Sequence, residues 1–184
     1  MNIDFQSNSK IVIIMRGCPG SGKSTSSQAL IDYLSETGVM PVSSMSKCSA
    51  DDYMKNEDGK YKYDHAKIGM VHGRCKEQFM ASLAERNNLI IVDNTNIKLF
   101  EFKVYVSAAR SQGYEVYQWE LELRFENIHG VPSDKLEQMQ KNYKYSALPT
   151  FEPSSDFNDF LQRSVEEKKA DCELDDERSL AIRI

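Results

Sequence analysis

The sequence has few of the features that mark secreted, membrane-spanning or metal-binding proteins. Its 184 residues include four cysteines and three histidines. The cysteines form no CxxC pair and no metal-ligand spacing, which favours a reduced, intracellular protein. The start, MNIDFQSNSK, lacks the basic and apolar segments of a signal peptide. Apolar runs reach about five residues, whereas a membrane span needs about 20, so we expect a cytoplasmic protein without membrane contact.

Positive charge is also scarce, and the charge is unevenly distributed. The net charge is −5, which argues against a protein that coats nucleic acid non-specifically. Residues 151–184 hold ten acidic and five basic residues, whereas residues 1–150 hold eighteen of each. This change in composition predicts a domain over residues 1–150 and an acidic appendage over residues 151–184 that contains one helix.

Apolar runs alternate with helical patterns along the chain. Strands are predicted at residues 11–15, 41–48, 89–92 and 114–121. Residues 11–15 and 89–92 are short unbroken apolar runs, which are typical of buried parallel strands, and residues 41–48 have the weaker pattern. Helices are predicted over residues 24–37, 64–86, 98–112, 132–145 and 156–170. The alternation predicts an α/β fold with a doubly wound parallel sheet and flanking helices.

The segment GCPGSGKST joins the first predicted strand to the first predicted helix. It matches GxxxxGK[ST], a pattern in which glycines let backbone N–H groups wrap phosphates at a helix N-terminus. Lys23 would reach the terminal phosphates, and the Ser24 hydroxyl would hold Mg²⁺. The residues predicted to bind a nucleoside triphosphate are Gly17, Cys18, Pro19, Gly20, Ser21, Gly22, Lys23, Ser24 and Thr25.

Several classes of phosphate-binding protein leave marks that this sequence lacks. It has no NKxD segment, by which GTPases read their base, and the strand at residues 89–92 is followed by DNTN rather than by adjacent acids. Nucleoside monophosphate kinases need several arginines, and only eight occur here, three of them after residue 160. These absences argue against those three classes and leave the reaction to be decided by the remaining carboxylates.

A second acidic segment, SADDY, follows the second predicted strand. The carboxyl ends of neighbouring parallel strands face one crevice, so Asp51 would face the γ-phosphate. A carboxylate there can accept the proton of an attacking hydroxyl. The same residue could instead cap a turn, and the residues alone leave both interpretations open.

Four segments in this order and spacing carry a resemblance: GCPGSGKST, SADDY, IIVDNTN and NIHGVP. Over residues 10–150 the chain resembles the P-loop polynucleotide 5′-hydroxyl kinases and the related ATPase-like kinase domains of phages and eukaryotes, including that of NEDD4-binding protein 2. The resemblance implies an ATP- and Mg²⁺-dependent kinase with Asp51 as general base. It also implies that Asp93, Thr95 and Asn96 line the crevice near the metal and the acceptor, with Asp93 close to the metal.

The chain departs from this pattern at two positions. Phage polynucleotide kinases carry an arginine three positions after the catalytic aspartate, where this chain has Met54. Many relatives also place an arginine directly before NxHGVP, where this chain has Glu126. The segment 124–132 resembles a lid over the triphosphate, and Arg124 is the nearest substitute for the missing lid arginine.

The acceptor side has weaker signals. Residues 60–76 carry five basic residues and one acidic residue, interleaved with aromatic residues such as Tyr63. This mixture suits a single-stranded nucleic acid end, and Lys55 can replace part of the missing arginine charge. The same stretch also suits a solvated helix start, so both readings stay open.

We therefore expect a kinase that phosphorylates a hydroxyl, foremost the 5′-hydroxyl of a DNA or RNA end. A kinase acting on a small nucleoside or on a modified base in nucleic acid is the alternative, and Met54 favours giving it weight. A second alternative is an ATP-binding interaction module without kinase activity.

Overall fold

The computed structural model of the protein describes residues 3–54, 64–121, 133–143 and 146–166. Its described strands form a single sheet in the order β2-β3-β1-β4, and each neighbouring pair is parallel. The strands are β1 (Ile11–Arg16), β2 (Met45–Cys48), β3 (Leu89–Val92) and β4 (Glu115–Glu120). The predicted parallel α/β architecture is confirmed.

The described residues contain five α-helices, and all five were predicted. They are α1 (Lys23–Glu36), α2 (Ile68–Ala84), α3 (Leu99–Ser111), α4 (Ser133–Asn142) and α5 (155–166). Among these residues, no helix has both the length and the apolar character needed to cross a bilayer.

The second strand begins later than predicted, so its predicted start at residue 41 is wrong. Residues 42–44 form a 3₁₀ turn in which both the backbone N–H and the hydroxyl of Ser44 donate to the Pro41 carbonyl at 2.9 Å. Local bonds of this kind compete with strand pairing. The side chain of Val42 is consequently 58% exposed and adds nothing to the core.

The central strand β1 supplies both layers of the core, because alternate side chains point to opposite faces. Val12 and Ile14 pack in the cluster that includes α2 and α3, whereas Ile13 and Met15 pack in the cluster that includes α1. This double burial explains the unbroken apolar run. It also fixes the carboxyl end of β1, from which the phosphate-binding segment begins.

Residues just after position 150 pack on the edge strand β4. The backbone N–H of Phe151 donates to the backbone carbonyl of Gln118 at 2.7 Å. The rings of Phe151 and Phe157 lie 4.9 and 5.8 Å from the ring of Trp119. The predicted division of the chain at residue 150 remains a prediction, but these contacts make Phe151 and Phe157 part of the described core.

Candidate nucleotide-binding and acceptor site

The loop over residues 17–22 depends on three glycines with positive φ. Gly20 and Gly22 adopt φ angles of 83° and 85°, a left-handed conformation that glycine adopts at the lowest cost. A Cβ on Gly17 would lie 2.6 Å from both the Leu121 carbonyl and the Ser21 hydroxyl. The glycines thus allow the tight curl that turns backbone N–H groups towards a phosphate.

The Lys23 side chain lies inside this loop. Its ammonium donates to the carbonyls of Gly17 and Cys18 at 2.9 and 2.8 Å, and only 9% of the residue is exposed. Burial lowers the pKa of Lys23, and the charges of Asp93, Cys18 and Asp51 oppose that shift. The ammonium is therefore held where the terminal phosphates of a bound nucleotide would meet it.

Asp93 ends β3 next to the first turn of α1. It is 3% exposed, and its carboxylate accepts from the Ser27 hydroxyl at 3.1 Å and from the Ser24 hydroxyl. Burial raises the pKa of Asp93, while these hydrogen bonds and the Lys23 ammonium oppose the rise. The sequence pattern did not single out Ser27, because nothing in the motif marks the position three residues after Ser24.

These oxygen atoms fit a magnesium ion. Mg²⁺ prefers oxygen ligands, and it usually takes only one or two from the protein and the rest from phosphates and water. A hydroxyl on Ser24 beside the Asp93 carboxylate supplies that small set. Among the described residues, no group of three or more histidine, cysteine or acidic side chains could hold a metal by itself.

The loop after β3 ties the predicted segments together. The Thr95 carbonyl accepts from the backbone N–H of Gly17 at 3.1 Å. Asn94 accepts from the backbone N–H of Ala50 at 2.9 Å, and Asn96 donates to the Met15 carbonyl at 2.7 Å. Asn96 is 2% exposed, so its amide is engaged in holding the loop. The sequence motif marked this loop, but the part played by Asn94 could not be read from spacing.

Asp51 begins a short 3₁₀ turn, Asp51–Tyr53, just beyond the carboxyl end of β2. Its side chain is exposed and close enough to Lys23 to act on the lysine charge. Met54, at the position where phage relatives have an arginine, is 5% exposed and packs in the core. The Asp51 carboxylate is therefore near enough to influence the Lys23 ammonium electrostatically, whereas residue 54 is buried.

Several predicted site residues lie outside the described residues. They are Lys55, Tyr63 and Arg124, together with Glu126, the remainder of the lid segment 124–132 and the acidic residues after position 166. The roles predicted for them stay predictions.

Arg16 is a residue of this region whose role the sequence pattern did not reveal. Its side chain is fully buried at the end of β1, and its guanidinium donates to the carbonyls of Asn96 and Ile97 at 3.0 and 3.3 Å. It also lies over the rings of Phe102 and Tyr143, at 5.1 and 4.4 Å from their centroids. The sequence feature that could have revealed this role is a charged residue at the end of an apolar strand.

The chain is similar in sequence to a human protein and in fold to solved structures of other proteins. Human NEDD4-binding protein 2 is 31% identical over 159 residues, in a match that covers 79% of this chain and 8% of that protein. A mutant APS kinase CysC from Mycobacterium tuberculosis has a TM-score of 0.51 at 14% identity, covering 86% of this chain and 96% of that one. A chain of the Pnkp1/Rnl/Hen1 complex has a TM-score of 0.54 at 19% identity, covering 80% of this chain and 48% of that one.

The match to NEDD4-binding protein 2 confirms the resemblance predicted from the four motifs, and this chain corresponds to a small part of that protein. The solved structures, at below one-fifth identity, show that the chain shares its fold, a parallel sheet with flanking helices, with an APS kinase. A family model described as AAA domain matches residues 12–131, which is more than half of the chain. The chain therefore belongs to the AAA domain family and has its P-loop, kinase-like fold.

Proposed function

We propose that this protein is an ATP- and Mg²⁺-dependent kinase that transfers the γ-phosphate to a hydroxyl, foremost the 5′-hydroxyl of a DNA or RNA end. The observation that carries the proposal is the exposed carboxylate of Asp51, which follows the carboxyl end of β2 and is near enough to Lys23 to influence its charge. The bond from Asn94 to the Ala50 backbone holds the segment that bears it. A domain that only bound nucleotide would need no carboxylate at this point.

The proposed reaction follows from these positions. The acceptor oxygen attacks the γ-phosphorus, the bond to the bridging oxygen breaks, and ADP leaves. Asp51 accepts the proton that the hydroxyl loses, while the loop N–H groups and Lys23 stabilise the phosphate charge. When bound by Ser24 and Asp93, Mg²⁺ would neutralise further charge on the phosphate oxygens.

The acceptor is the less constrained half of the proposal. Both solved neighbours support a phosphotransferase in general, since one is an APS kinase and the other is a chain of a complex that contains Pnkp1. The four-motif resemblance favours a nucleic acid end. The burial of Met54 favours the alternative of a nucleoside or modified base, because the residue that grips a 3′-phosphate in phage relatives has no counterpart there.

The test is a transfer assay with γ-labelled ATP and Mg²⁺. The acceptors are 5′-hydroxyl DNA and RNA oligonucleotides, nucleosides, nucleotides and oligonucleotides with modified bases. Label on the oligonucleotide 5′ ends supports the proposal, whereas label on nucleosides or internal bases alone supports the alternative. Tight ATP binding without any labelled acceptor overturns the kinase assignment and leaves an ATP-binding module.

A further inference from the structure

A groove of about 490 Å³ lies between α2 and the first turns of α3. His72, Gly73 and Lys76 line it from α2, and Phe100 and Val104 line it from α3. None of the P-loop residues lines it. A concavity of this volume is typical of a site for a small organic group.

Asn94 connects this groove to the proposed general base. It lines the groove, and its side-chain oxygen accepts from the backbone N–H of Ala50, the residue before Asp51. A molecule in the groove would contact Asn94, which is one hydrogen bond away from the segment that carries Asp51. Thr95 also lines the groove, and its carbonyl accepts from the backbone N–H of Gly17 in the P-loop.

Phe100 gives the groove an exposed aromatic wall. The residue is 73% exposed, the highest value among the large apolar residues that the structure describes. The ammonium of Lys98 lies 5.8 Å from the centroid of its ring. A nucleobase can stack on the face of such a ring, and a nearby cation suits the phosphate that adjoins the base.

Lys76 supplies an ammonium on the α2 wall of the groove, and Lys98 supplies a second one beside Phe100. His72 and Lys76 lie one turn apart on α2, and both are exposed. The acidic side chain among the described lining residues, Glu101, accepts from the backbone N–H of Lys98 at 3.1 Å and so caps α3. An aromatic wall opposite basic side chains is the arrangement that binds a single-stranded nucleic acid without sequence preference.

We propose that the α2–α3 groove binds the first base of the acceptor strand, with Phe100 as the stacking surface and Lys76 beside the phosphate that follows. This assignment rests on the proposed function, because it requires the acceptor to be a nucleotide end. It adds a base-binding subsite that is distinct from the P-loop and built from exposed residues of α2 and α3.

The first test compares Phe100→Ala with Leu99→Ala. The two residues are adjacent and exposed, but only Phe100 lines the groove. Fluorescence anisotropy with a labelled single-stranded 5′-hydroxyl oligonucleotide should show about 5- to 150-fold weaker binding for Phe100→Ala, the range expected for one lost stacking contact. Leu99→Ala and Phe100→Trp should keep wild-type affinity.

An oligonucleotide without its first base provides a double-mutant cycle. It should bind the wild type as weakly as the intact strand binds Phe100→Ala. Combining the abasic strand with Phe100→Ala should produce no further loss, because the same contact is then removed twice. Additive losses would overturn the assignment of that base to Phe100.

A second pair of variants tests the α2 wall of the groove, with one variant that fills the groove and one that serves as its control. Gly69 and Gly73 both lie in α2, and a Cβ on either residue would meet nothing within 4 Å. Leucine should therefore be tolerated at both positions and should favour the helix. Gly73→Leu should raise the KM for the oligonucleotide with little change in kcat or in ATP affinity, whereas Gly69→Leu should match the wild type.

The results test the assignment of the groove and the proposed kinase reaction independently. Oligonucleotide binding that depends on Phe100, in a protein that phosphorylates no acceptor, supports the groove and overturns the kinase proposal. Phosphorylation of oligonucleotides with the same affinity and KM in Phe100→Ala, Gly73→Leu and wild type overturns the groove and supports the kinase proposal.

Discussion

Arg16 donates from Nη1 to the Glu120 carboxylate at 2.6 Å, with the arginine side chain fully buried and the glutamate side chain 41% exposed. The pair joins the carboxyl ends of β1 and β4. Arg16 is also the residue directly before the P-loop, and it bonds the loop that contains Asn96. The residue that precedes the phosphate-binding loop is therefore held in place by its own strand β1, by β4 and by the loop that contains Asn96.

Removing this guanidinium should destabilise the protein. Arg16→Met leaves the carbonyls of Asn96 and Ile97 without this donor, and a buried polar group left unsatisfied costs about 1–3 kcal/mol. We expect the free energy of unfolding to fall by about 2–4 kcal/mol in urea denaturation. The control is Arg110→Met on the exposed surface of α3, for which a change within about 0.5 kcal/mol is expected. Equal effects for the two variants would contradict the structural role of Arg16.

Lys23→Met should weaken nucleotide binding. The buried ammonium would bond the terminal phosphates, and a hydrogen bond to a charged group contributes about 1.5–3 kcal/mol. Isothermal titration with a non-hydrolysable ATP analogue should show affinity lower by about 10- to 150-fold. Lys103→Met, which removes an exposed lysine of α3, should bind like the wild type. Undiminished affinity in Lys23→Met would show that the lysine serves only to hold the loop.

Asp51→Asn should abolish most phosphate transfer without a matching loss of nucleotide affinity. The amide keeps the shape of the carboxylate but cannot accept a proton, and general base catalysis contributes about 100- to 10,000-fold. We expect kcat to fall within this range in single-turnover assays. Asp52→Asn changes the neighbouring exposed carboxylate and should keep near-normal turnover. Normal turnover in Asp51→Asn would refute the assignment of the base.

Gly17→Ala should be more harmful than the matched change at Gly113. Both glycines have positive φ, at 152° and 81°. A Cβ on Gly113 would meet nothing within 4 Å, whereas a Cβ on Gly17 would lie 2.6 Å from the Leu121 carbonyl. Overpacking costs about 1–3 kcal/mol, so urea denaturation should show that extra loss for Gly17→Ala. Similar losses in the two variants would mean that the loop adjusts freely.

Phe157→Ala should report whether the predicted appendage belongs to the core. Phe157 is 2% exposed and lies 5.4 Å from the Tyr33 ring. Truncating a buried phenylalanine costs about 3–5 kcal/mol. The chain has one tryptophan, so the fluorescence of Trp119 should change with the lost contact. A stable variant with unchanged emission, or a stable chain ending at residue 150, would support an independent appendage.

The sequence was most informative where burial on both faces left a continuous apolar pattern. The strand at residues 89–92 was predicted at its observed bounds for this reason, and the glycine spacing predicted the P-loop. The start of β2 was missed because Ser44 forms local bonds to Pro41 that strand propensity does not reveal. The helical pattern of α3 gave no sign that Phe100 would be exposed, since that depends on how α2 and α3 pack together.

The two sides of the candidate site differ in how freely they can change. Arg16, Lys23 and Asp93 are buried, and each makes hydrogen bonds to neighbouring protein groups. Substitution at these positions therefore affects folding as well as function. Phe100, His72 and Lys76 are exposed, and exposed positions tolerate most substitutions with little effect on stability. A few surface mutations can therefore alter what the groove binds while the buried residues next to the P-loop stay unchanged.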